Sequence, residues 1–103
     1  MKISISCSVQ DTNSVIDDRF GRCNYFYIYD TASKKGEFFE NSHKDGGHGV
    51  GTKIVEFLAN KSVNEICAVE VGEKAKDLLN KLKIKINIVN KNIIVNDIIN
   101  QYN

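Results

Sequence analysis

The chain has no proline, no Cys-x-x-Cys pair, no long apolar run and almost no net charge. Its three cysteines, Cys7, Cys23 and Cys67, are odd in number and widely spaced, which argues against a disulfide framework and against a structural zinc site. No stretch is long and apolar enough to span a bilayer, and Met1-Lys2-Ile3-Ser4-Ile5 is expected to enter a strand and not to form a leader. A cytoplasmic protein with no membrane partner is expected. The formal charge is +1, with six Lys/Arg against seven Asp/Glu in residues 1–52 and eight against six in residues 53–103. A nucleic-acid stripe needs a clearer bias, so no nucleic-acid partner is expected. The first predicted strand carries no acidic residue, which removes the carboxylate cluster a metal-dependent nuclease requires. The missing proline and the abundance of Asn, Lys and Ile read as genomic composition, without mechanism.

Two polar glycine runs are present instead. The first is Asp17-Asp18-Arg19-Phe20-Gly21-Arg22-Cys23, which opens onto the aromatic strand Asn24-Tyr25-Phe26-Tyr27-Ile28-Tyr29-Asp30. The turn offers two guanidinium forks and one thiol, a set suited to an anionic, sulfur-rich or metal-bearing ligand. The second is His43-Lys44-Asp45-Gly46-Gly47-His48-Gly49-Val50-Gly51. It is not a Walker loop, since no Gly-Lys-Ser/Thr ends it.

The length of 103 residues predicts one domain over 1–103 with an ordinary core. Alternation predicts strands over 2–8, 24–30 and 37–41, the last two as a hairpin. Helical spacing of Ile54, Val55, Leu58 and Ala59 predicts a helix over 52–60. A buried parallel strand follows over 64–71, a helix over 72–82, a strand over 84–89, and a last helix to residue 102 capped by Asn96. The order predicts an α/β fold: one five-stranded mixed sheet in the order 3-2-1-4-5, strand two antiparallel, with helices on both faces. In such sheets the ligand crevice lies beyond the carboxyl ends of the strands at the switch point, here between strands one and four. The amino ends of the first two helices meet there, with Glu70 and Gly72 close by, and helix amino ends favour an anion.

The Phe20-Gly21-Arg22 turn with its aromatic strand, the N-terminal strand, the glycine loop entering Lys53-Ile54-Val55-Glu56-Phe57-Leu58, Val71-Gly72 and Leu82-Lys83-Ile84-Lys85-Ile86 together resemble the dinitrogenase iron–molybdenum cofactor family, the NifX/NifY-like domains also found at the C-terminus of NifB. The resemblance covers nearly the whole chain. It implies a ribonuclease-H-like three-layer α/β/α fold and a non-catalytic role: binding or carrying an iron–sulfur or iron–molybdenum cofactor or its precursor. Its implied partners are metallocluster donor and acceptor proteins, and a homodimer is a further expectation. Members commonly place a histidine before Phe-Gly. Arg19 stands there in this chain and has no lone pair to give a metal.

The expected site is a crevice between the Arg19–Cys23 turn and the glycine loop over 43–52. Cys23, beside Arg22, is the expected primary metal ligand as a thiolate, and His48 the auxiliary one. Arg19, Gly21, Arg22, Gly47 and Gly49 are the expected contacts to the anionic cluster. Arg19 and Arg22 could instead pair with Asp17 and Asp18 to shape the turn. Cys7 and Cys67 read as core residues, Cys7 ending its strand near the crevice. Two other classes stand beside the carrier: an enzyme using Cys23 with His48, for which no orienting third group is evident, and a metal-free module binding a small anion or a partner.

Overall fold

The computed structural model describes residues 1–103. β1 (Lys2–Cys7) places Ile3, Ile5 and Cys7 on one face and Ser4 and Ser6 on the other, all buried. A strand buried on both faces belongs in the middle of a sheet. β2 (Tyr25–Asp30) sends Phe26 and Ile28 to one core and Tyr29 to the other. A turn ending at Lys34, with φ of 59°, returns the chain as β3 (Lys35–Glu40). A Cβ at Gly36 would sit 2.2 Å from the Tyr27 ring, so a larger residue there requires that ring to move.

α1 (Val50–Asn60) buries Val50, Ile54, Val55 and Leu58, a single helical stripe. β4 (Glu65–Ala68) follows, then α2 (Glu73–Lys81) burying Ala75 and Leu79, β5 (Lys85–Ile88), and α3 (Val95–Asn100). The sheet order is β3-β2-β1-β4-β5. β2 pairs antiparallel with both β1 and β3, while β1, β4 and β5 run parallel. The expected order, strand directions and α/β class are those observed.

Two cores flank the sheet. One holds the buried residues of α1 and α2 with Phe20, Phe26, Ile28, Ile66 and Ala68. The other holds Ile3, Ile5, Cys7 and Cys67 with Ile16 and the buried residues of α3. Helices therefore cover both faces, in three layers.

One local expectation is corrected. Asn96 does not cap the last helix. Ile94 occupies the cap position, Asn96 lies inside the helix, and its amide donates to Asn13 Oδ1 at 2.6 Å. The polar loop between β1 and β2 is tied down by two isolated bridges, Cys7 with Ile16 and Val15 with Ile94. No helix is long and apolar enough to cross a membrane.

Candidate functional site: a cleft between two helix starts

After β1 the chain loops out and is tied back by the Asp17 N–H, which donates to Ser6 C=O at 2.9 Å. Asp17 is buried, and an unpaired carboxylate there would be costly. Ser8 Oγ donates to its Oδ2 at 3.0 Å, and Arg19 donates from its backbone N–H (2.9 Å), Nε (3.1 Å) and Nη2 (3.0 Å). Burial alone would raise the Asp17 pKa, but the hydrogen bonds from Arg19 and Ser8 outweigh it and hold the carboxyl below its usual range. Arg19 is thus fixed along one edge. Its side chain is still 61% exposed, and Nη1 with one Nη2 hydrogen is left free.

Phe20 anchors the turn, meeting Phe26 edge-on at 6.4 Å. Asn41, itself buried, donates from Nδ2 to the carbonyls of Gly21 (3.1 Å) and Cys23 (2.8 Å). Arg22 reaches the other way: its Nη1 donates to the carbonyls of Lys44 and Gly46, both at 2.8 Å. That pair of bonds straps the glycine loop to the turn, and Arg22 keeps Nε and Nη2 for other use. The chain then enters α1 through Gly49, whose φ of 83° favours glycine.

The turn, the start of α1 and the start of α2 enclose a cleft of about 650 Å³. It lies where the switch-point rule places it, beyond the carboxyl ends of β1 and β4. Arg19, Gly21, Arg22 and Gly49 line it, together with Asp18, Phe20, Gly51, Thr52 and the run Glu70–Ala75. The helices meet closely here, since a Cβ on Gly51 would come 3.2 Å from the Ala75 Cβ. Neither helix start has a side-chain cap. The backbone N–H groups of Gly51, Thr52, Glu73, Lys74 and Ala75 therefore border the cleft without a protein acceptor. Side-chain charge is balanced: Asp18, Glu70 and Glu73 against Arg19, Arg22 and Lys74.

Gly47 and His48 are exposed on the glycine loop and do not line the cleft, although His48 adjoins Gly49, which does. Cys23 requires a correction. It is fully buried in the α1/α2 core, its thiol donates to Phe20 C=O at 3.6 Å, and burial pushes its pKa up to about 11. Arg22 points away to the glycine loop and does not make a thiolate of it. Cys7 is buried as expected, its thiol raised to about 12 by burial, and Cys67 is buried too. No group of three or more His, Cys, Asp or Glu is placed to hold a metal ion. The donors that reach the cleft suit a pre-assembled anion, not a bare metal ion in need of ligands.

Sequence reasoning placed Glu70, Gly72 and the glycine loop through Thr52 at this crevice but did not name Glu73, Lys74 and Ala75. Of these only Ala75 carried a signal, as a small residue at the point of close approach to Gly51.

The whole chain, residues 1–103, matches the family model described as dinitrogenase iron-molybdenum cofactor. An uncharacterised protein of Methanocaldococcus jannaschii is 35% identical over 77 residues, which is 72% of this chain and 65% of that relative. The chain thus spans about two thirds of that relative's length. Among solved structures, a Thermotoga protein provisionally named NifB matches with a TM-score of 0.83 and 33% identity, over 98% of this chain and 85% of that one. The apo form of the orange protein from Desulfovibrio gigas matches with a TM-score of 0.91 over 98% of this chain and 85% of that one; at 24% identity it bears on the fold alone. By its sequence over its full length, this chain belongs to the dinitrogenase iron–molybdenum cofactor family.

Proposed function

We propose that the protein is a non-catalytic carrier that holds an anionic metallocluster, an iron–sulfur or iron–molybdenum cofactor or its precursor, as cargo in the cleft between α1 and α2. One observation carries this reading: two half-used guanidinium groups and five unpartnered backbone N–H groups converge on one cavity. Each N–H or dipole contact is worth about 0.3–1 kcal/mol when exposed, so several must act together with the arginines. Arg19 and Arg22 face the cluster's anionic sulfides, and Gly21 and Gly49 let it approach the backbone. Family membership supports the class of cargo. The partners are the proteins that deliver and receive the cluster, in a reducing cytoplasm that suits three free cysteines.

A second reading has its own support. The balanced side-chain charge and the lack of a ligating set also suit a metal-free module for a small inorganic anion.

The test is anaerobic loading with iron–molybdenum cofactor, followed by gel filtration and assay of iron, molybdenum and sulfide per chain. The carrier reading expects stoichiometric metal in the wild type and in Cys23→Ala, and loss in Arg19→Ala/Arg22→Ala. No metal above a control protein, with phosphate or sulfate binding intact, selects the second reading. Loss of metal in Cys23→Ala with its fold intact means that the thiol is a ligand after all and that the cleft account is wrong.

A further inference from the structure

The lysines of the second half are unevenly placed. From Leu78 to Asn96 the chain holds Lys81, Lys83, Lys85 and Lys91 and no acidic residue. All four are exposed, and none joins an ion pair; the two in the molecule are Met1 with Asp30 and Arg19 with Asp17. Lys85 opens β5, which is an edge of the sheet.

The inner side of β5 is its parallel ladder with β4, where Lys85 N–H donates to Asn64 C=O and Val89 N–H to Ala68 C=O, both at 2.9 Å. Backbone groups alternate along a strand, so those of Ile86 and Ile88 point outward, where no further strand receives them. Leu82, just before the strand, is 45% exposed and Ile88 is 59% exposed. The opposite edge differs, since β3 mixes Lys35 with Glu37 and Glu40. Edge lysines also deter self-pairing of a strand with its own copies. Beside β5 they adjoin two large apolar side chains that a partner strand would cover.

We propose that the β5 edge docks an extended acidic segment of a partner protein, which adds to the sheet as a further strand. Its main chain bonds to Ile86 and Ile88, its carboxylates face Lys81, Lys83 and Lys85, and its intervening apolar residues cover Leu82 and Ile88. A nucleic acid would answer the lysines but has no main chain to pair with the open edge. This surface is distinct from the cleft and does not depend on cluster binding.

The test uses the full chain and a short peptide alternating Glu with Val, followed by amide hydrogen exchange and two-dimensional NMR. The expected result is slowed exchange at the Ile86 and Ile88 amides, weakened by salt. Affinity should fall about tenfold in Lys83→Glu/Lys85→Glu, the loss of two exposed charge pairs plus their reversal. Unchanged exchange at those two amides overturns the proposal. So does an equal response to a peptide in which Lys replaces every Glu and the Val residues are kept, or a response of the β5 edge to an oligonucleotide and not to the acidic peptide.

Discussion

Arg19 shows how one side chain can be fixed and free at once. Asp17 takes its backbone N–H, Nε and Nη2, and the remaining guanidinium edge faces the cleft. The sequence left two readings open, an arginine clamp for a ligand or an arginine paired with a neighbouring acid. The pairing with Asp17 is present, and it leaves the clamp available because a guanidinium has five donors. For Asp17 the folded-state pKa lies below the unfolded value of about 3.9. Its contribution to stability is therefore present above pH ~4 and is lost as pH falls through the lowered folded value. Wild-type unfolding free energy should fall as pH drops below ~4, and Asp17→Asn should flatten that dependence. At neutral pH Asp17→Asn should cost about 1–3 kcal/mol, since buried donors lose a charged acceptor. Urea titrations from neutral pH downward check both; an unchanged slope in the variant would show that the acid limb belongs to other carboxylates. Cys23 was the least legible residue. Its neighbours in sequence are polar, but Phe20 and Phe26 carry it inward with them, and nothing in a linear reading signals that inversion.

At the scale of elements, most of the fold was legible because each element carries its own period. β1 alternates, α1 buries every third or fourth residue, and the hairpin has its turn residues. The errors fell at element ends. Val69–Val71 continue the β-rich run but lie outside β4, because the ladder with β5 stops at Ala68 and Ile88. Asn96 has the chemistry of a cap, but tertiary pairing with Asn13 claims its amide. The approach of α1 to α2 depends on Gly51, with a Cβ there only 3.2 Å from that of Ala75. Gly51→Leu should overpack this contact, destabilise by about 1–3 kcal/mol and narrow the cleft. A melting temperature equal to wild type, with ligand binding retained, would show that the close helix approach does not depend on that glycine.

On the scale of the whole molecule, the sheet order decides where chemistry can happen. β1 sends the chain toward β2 on one side and lies beside β4 on the other, and the cleft opens at that divergence. The place of the site was therefore legible from topology, while its donor atoms were not. Five of them are backbone N–H groups, which have no signature in the identity of a residue. The central claim is that a cluster sits in this cleft on backbone and arginine donors. It is tested most directly by anomalous diffraction at the iron edge from crystals of the cluster-loaded protein. The account predicts anomalous peaks between the starts of α1 and α2, beside Gly51 and Gly72 and within reach of Arg19. Peaks at bonding distance from the Cys23 sulfur, or anywhere outside the cleft, would contradict it.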